Sequence, residues 1–171
     1  MKKSLLFALL FVISITFFAC KDDDDSTNNQ TPKDPMVGTW LSEGTNVAPL
    51  LRGAPFKIKK ITATFNENLT YTVVQVDSNN VSTTLTGTYT LTKSATGTIH
   101  KIVVNQQTPA ALTAEGIYEI NTTPEPDQMS YEVVQTSPAI GVAPPTPTGG
   151  FGSTGGGVLG TLNVQKYVRV N

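Results

Sequence analysis

The chain of 171 residues carries 12 Lys and Arg against 13 Asp and Glu, a formal net charge of −1, with one Cys, one His and one Trp. A single cysteine excludes an intrachain disulfide, and a lone histidine excludes a histidine-built metal cluster. From Met36 onward the charges balance, eight against eight, which leaves no basic stripe for nucleic acid and no basic face for anionic lipid.

In chain order, Met1-Lys2-Lys3 is a short basic head. Leu5 to Phe18 is apolar except for Ser14 and Thr16, and Phe17-Phe18-Ala19 brings a small residue directly before Cys20. A secretory signal has this head and core, and the run is shorter than the ~20 residues that a membrane-spanning helix needs. An uncleaved N-terminal anchor is the alternative. The segment ending at Cys20 resembles the lipobox of bacterial lipoproteins, with Phe17 where leucine is usual and Phe18 where a small residue is usual. The resemblance implies a diacylglyceryl thioether on Cys20, cleavage between Ala19 and Cys20, and acylation of the new amino group. Each buried methylene contributes ~0.8 kcal/mol, so two or three acyl chains anchor stably where one would be marginal. Lys21-Asp22-Asp23-Asp24-Asp25 resembles the acidic export signal that follows the lipidated cysteine in Gram-negative lineages that display lipoproteins outside. As a plain charge run it also serves to solubilise a tether. The expected organisation is a signal peptide over 1–19, a lipidated acidic tether over 20–35 with nothing apolar to bury, and one domain over 36–171.

From Met36 nearly every segment reads as strand, with Thr, β-branched and aromatic residues in short runs between Asn, Gly, Ser and Pro clusters. The runs are Val37–Ser42, Phe56–Phe65, Leu69–Val76, Val81–Thr92, Ile99–Asn105, Gly116–Asn121, Met129–Thr136 and Val158–Val170. Val81–Thr92 alternates most clearly: Leu85, Gly87, Tyr89 and Leu91 on one parity, threonines on the other, the pattern of a strand with one buried and one wet face. In the last run Val158, Leu162, Val164, Val168 and Val170 are expected to share the buried face. Thr45–Gly53 and Thr108–Ala114 are candidates for short helical turns, limited by Pro49 and Pro109. Ser137–Gly157 is rich in Pro and Gly and reads as an exposed insertion or as a lid with Phe151 as its apolar anchor.

About eight strands with short connections predict an all-β fold, a small antiparallel meander barrel. An immunoglobulin-like β-sandwich is the alternative. Gly38-Thr39-Trp40, then Thr64–Tyr71 and Thr86–Leu91, resemble in order the opening segments of lipocalins and of small lipocalin-like bacterial lipoproteins. That resemblance implies that Trp40 closes one barrel end beneath an arginine from near the C-terminus, for which Arg169 is the candidate. Because Arg169 has the opposite parity to Val168 and Val170, it reaches the core side only through a bulge.

His100 has no acid or nucleophile placed beside it by sequence and reads as a half-exposed strand residue. Lys57 and Lys59 share a face and read as a solvated strand edge or a small cationic patch. Any of Tyr71, Tyr89, Tyr118, Tyr131 and Tyr167 could line a sugar- or lipid-binding cavity, since aromatic rings bury area while tyrosine keeps a polar tip; Tyr71, Tyr89, Tyr131 and Phe151 are the candidate ligand-lining residues. No activated nucleophile, acid–base pair or metal cluster stands out, so the expectation is not an enzyme and no cofactor. The expected protein is an outer-membrane lipoprotein, held in the membrane at Cys20 and exposed at the cell surface. Its barrel would bind a small hydrophobic or saccharide ligand or a partner protein. A structural or accessory subunit of an envelope complex, without a cavity, is the alternative. A cavity of ~300 Å³ or more separates the two.

Overall fold

The structure is a computed structural model that describes residues 33–123 and 125–170. The segment expected to be a signal peptide, Cys20, Lys21 to Asp25 and most of the expected tether lie outside the described residues.

Eight strands form one closed antiparallel barrel in sequence order. They are β1 (Gly38–Glu43), β2 (Ile58–Phe65), β3 (Thr70–Asp77), β4 (Ser82–Thr92), β5 (His100–Thr108), β6 (Leu112–Asn121), β7 (Gln128–Ser137) and β8 (Gln165–Val170). Each pairs with the next, and β8 pairs with β1 through Trp40↔Arg169. That last ladder joins the two edges, so the sheet is a barrel rather than the two facing layers of a sandwich. Closure leaves no unpaired edge for another chain to extend.

Period-two alternation explains which residues fill the interior. Ile61, Ala63 and Phe65 of β2 are buried, as are Ile102 and Val104 of β5. In β4, Gly87 and Tyr89 are buried while Thr90 is exposed, as the alternation predicts. Two inward glycines permit close strand approach: a Cβ at Gly87 would collide with the Asn105 carbonyl, and one at Gly116 with the Glu132 carbonyl. A register shift lies between Ile58 and Lys60, so Lys59 and Lys60 are both exposed while Ile58 and Ile61 are both buried. Lys57 precedes the strand, and the two faces of this segment do not alternate simply.

The registers sort the connections to the two barrel ends. At one end lie the hairpins 66–69, 93–99 and 122–127, with residues 33–37 entering beside them. At the other lie the 3-10 turn Gly44–Asn46, helix α1 (Pro49–Arg52), and the long connection from β7 to β8. Pro49 sits at the first helical turn of α1, where its missing N–H costs nothing.

Three local expectations change. The Thr108–Ala114 segment holds no helical turn: it is the β5–β6 hairpin, with β6 beginning at Leu112. Residues 158–163 are not strand; Gly160–Asn163 is a 3-10 turn and β8 starts at Gln165. In β8 the buried parity is Gln165 and Tyr167, with Arg169 following, while Val168 and Val170 face outward and are half-buried. Arg169 therefore reaches the interior with no bulge.

Candidate functional site

The first barrel end is closed by side chains from three places in the chain, Trp40, Asp127 and Arg169. Trp40 is fully buried, and its indole N–H donates to the Met36 carbonyl at 2.9 Å. The Arg169 guanidinium lies over the indole, 4.2 Å from its centroid. Its Nε bonds Asp127 at 2.7 Å, and Nη1 and Nη2 bond the carbonyls of Val37 and Pro35. A Cβ at Gly38 would collide with the same guanidinium, so the glycine of Gly38-Thr39-Trp40 is what leaves room for the arginine.

Beside this plug, Lys93 bonds Asp34 and the Tyr118 hydroxyl, at 3.0 and 2.9 Å. Burial alone would lower the Lys93 pKa, but its bonds to Tyr118 and Asp34 outweigh that and raise it. His100 stacks edge-on against Tyr118 and accepts from the Ser94 amide. Burial first, and then the Lys93 charge, lowers the His100 pKa. His100 is a half-buried packing residue of the hairpin, its Nδ1 taken by the Ser94 amide.

The opposite half of the barrel is hollow. A cavity of about 250 Å³ runs from mid-barrel toward the α1 end. Its floor and lower wall are Phe65, Tyr71, Tyr131 and Tyr167, its sides include Ile61, Ala63, Val104 and Ala114, and its rim includes Leu51, Gln75, Leu85, Gln106, Leu112 and Asn163. The deep aliphatic and alanine residues are buried and the rim residues half-buried. The cavity therefore opens at the α1 end. No lining residue is Asp, Glu, Lys, Arg or His.

The three tyrosines form a cluster. Tyr131 and Tyr167 pack edge-to-face at 6.1 Å, and Phe65 tilts against Tyr71 at 6.3 Å. Burial pushes the Tyr71 phenol up to about 12. Burial also raises Tyr167 strongly, and raises Tyr131 well above the usual value, with the neighbouring phenols of Tyr167 and Tyr71 adding to the effect. All three stay protonated at neutral pH. Among the described residues none of their hydroxyls has a hydrogen-bond partner, although no buried side-chain polar atom is both sealed and unpaired. The hydroxyls accordingly face the cavity space.

Of the four residues expected to line a cavity, Tyr71 and Tyr131 do and Tyr89 and Phe151 do not. Tyr89 packs edge-on behind Phe65 at 5.1 Å, and its hydroxyl donates to the Asn66 carbonyl at 2.8 Å. It belongs to the packing beneath the floor. Phe151 lies in the long connection, which is held elsewhere. Glu132, fully buried although on the outward parity of β7, accepts from the amides of Gly152 and Thr154 at 2.7 and 3.3 Å and from the Thr154 hydroxyl. This carboxylate pins the loop against the outside of the barrel wall, so the Phe151 segment is no lid. The mouth is bordered instead by α1 and the turn 160–163, which pack together.

Gln165 fixes that border. Its amide oxygen accepts from the Ala48 amide at 2.9 Å, and its amide nitrogen donates to Ser42 and the Asn46 carbonyl. Sequence reasoning named Tyr167 among the tyrosines that could line a cavity, and it missed Gln165 and Glu132. The inward direction of Tyr167 and Gln165 follows from the parity of Arg169; Glu132 has only the weak signal of an acid inside a strand. Among the described residues, no group of three or more His, Cys, Asp or Glu side chains is placed to hold a metal ion.

Comparison with known protein families, with curated proteins and with solved structures finds no significant match. The chemistry of the chain's own residues is what bears on its function.

Proposed function

We propose that this protein is a lipid-anchored, cell-envelope binding protein of lipocalin-like type, non-catalytic, whose barrel holds a small ligand. The observation that carries the reading is the cavity of about 250 Å³. It falls short of the ~300 Å³ expected above to separate a binding barrel from an accessory subunit, which is the lower bound of drug-sized sites. It is larger than the ~150 Å³ apolar cavity that admits benzene. By proportion it suits a ligand on the order of ten non-hydrogen atoms. Cys20 with the preceding apolar run supports the anchor, and Lys21 to Asp25 support display at the outer surface. Residues 33–37 join the barrel at its closed end.

The modest volume favours one second reading, an accessory subunit of an envelope complex that binds no small molecule. An apolar fluorescent probe, 1-aminonaphthalene, separates the two. The full chain in lipid nanodiscs, against empty nanodiscs, is expected to bind it. Ala114→Phe, which places a ring in the cavity, is expected to weaken binding at least tenfold. Equal signals from both proteins, or none from either, would favour the accessory subunit.

A further inference from the structure

The cavity's chemistry narrows what it can hold, on the reading that it takes a ligand at all. Three features act together. Among the described residues, the wall carries no ionisable side chain other than tyrosine. Of the two cations on β8, Lys166 faces outward and is exposed, and the inward Arg169 is occupied by Trp40, Asp127 and two carbonyls at the closed end. Among the described residues, the polar groups at depth are the hydroxyls of Tyr71, Tyr131 and Tyr167, which bond no other described residue and are set among aromatic faces.

We infer that the ligand is a neutral one- or two-ring molecule with a single hydroxyl or carbonyl group, bound with that group inward against the tyrosine hydroxyls and its rings against Phe65 and the aliphatic wall. A carboxylate in the same place would lose its hydration with no cation to compensate, and burying an unpaired charge is costly. Three phenol donors would soften that penalty. Yet the site suppresses ionisation of its own phenols, burial being the first cause for each, and the same desolvation acts on a guest anion. A monosaccharide meets the opposite difficulty. It would bring several hydroxyls to a wall where Ile61, Ala63, Val104 and Ala114 offer no partners, and each buried unpaired polar group costs affinity. The rim amides do not remedy this at depth: Gln165 is engaged by Ala48, Ser42 and Asn46, the amide nitrogens of Gln106 and Asn163 already donate to backbone carbonyls, and Gln75 stands at the mouth, away from Ile61, Ala63, Val104 and Ala114.

The test compares guests of nearly constant shape. The full chain in lipid nanodiscs is dialysed at pH 7 against 2-naphthol, naphthalene, 2-naphthoate and methyl glucoside, with empty nanodiscs as the blank. 2-Naphthol is expected to bind about tenfold more tightly than naphthalene, the worth of roughly one good neutral hydrogen bond. 2-Naphthoate and methyl glucoside are expected to bind more weakly than naphthalene. In a Tyr131→Phe, Tyr167→Phe variant the advantage of 2-naphthol should fall below threefold while naphthalene binding stays unchanged. Should that variant fail to fold, the order of the four guests on the wild type decides. Naphthoate or glucoside binding as tightly as naphthol would overturn the ligand class, and naphthalene equal to naphthol would overturn the role of the hydroxyls; both leave the cavity as a binding site. Retention of none of the four would overturn the binding reading itself.

Discussion

Replacing Glu132 with glutamine tests whether one buried carboxylate holds the β7–β8 connection to the barrel. The native group accepts two backbone N–H bonds and one hydroxyl bond, and is fully shielded from water. All three partners are donors, so a carboxylate with acceptor-only oxygens satisfies them and an amide does not. Glutamine keeps the shape but turns an NH2 toward either Gly152 or Thr154. A hydrogen bond to a charged group is worth ~1.5–3 kcal/mol net, and a buried donor left facing another donor costs ~1–3 kcal/mol more. The loop can lift into water and recover part of this, so the expected loss is about 2–4 kcal/mol. That is a large share of the ~5–15 kcal/mol of a typical domain. Urea denaturation should show a lower midpoint at an unchanged slope. Hydrogen exchange should show faster exchange at the Gly152 and Thr154 amides than in the wild type. A midpoint shift worth less than ~0.5 kcal/mol, within the range of an ordinary surface substitution, with both amides still protected, would refute the clamp.

Two further outcomes are expected. Stability should decline as pH rises past about 10, because tyrosines ionise in the unfolded chain while burial holds Tyr71 near about 12, and Tyr131 and Tyr167 also above their usual value; the unfolded state then binds fewer protons, and each such tyrosine contributes a slope of up to ~1.4 kcal/mol per pH unit. Melting temperatures between pH 8 and 11 should be flatter for Tyr71→Phe than for the wild type, and a parallel fall in both would mean that the phenol is not shielded. Metabolic labelling with a palmitate analogue should mark the wild type and not Cys20→Ser; label surviving the substitution would move the attachment away from Cys20.

The strand order was legible because most inward positions are apolar and most outward ones are threonine or charged, so hydropathy and geometry agree in β2, β4 and β5. They part company where inward residues are polar with dedicated partners. In β8 the valines look like a core face, yet Gln165 and Arg169 are the inward residues, each satisfied by several hydrogen bonds that no local pattern announces. The bulge in β2 is similar: two adjacent exposed lysines between buried isoleucines break the alternation. Glu132 lies further from legibility, because its partners are 20 and 22 residues away.

The cavity itself was more accessible than it looked. A barrel end closed by arginine over Trp40 requires Arg169 to point inward. In an unbulged strand that requirement carries Tyr167 and Gln165 inward with it, by period two. Their partners in register are then Met129 and Tyr131, which puts two tyrosines on adjacent inward positions of β7 and β8. A pair of aromatic rings on one stretch of wall, with only alanine at 63 and 114 on other strands, cannot fill a barrel of eight strands, whose interior is just wide enough for side chains or one small guest. Assuming a bulge instead kept the valines inward, gave Tyr167 no better claim to the interior than Tyr118, and left Tyr89 and Phe151 beside Tyr71 and Tyr131 as the apparent lining. The expectation of Arg169 over Trp40 already contained the strand's orientation, and with it the position of the deep aromatic wall.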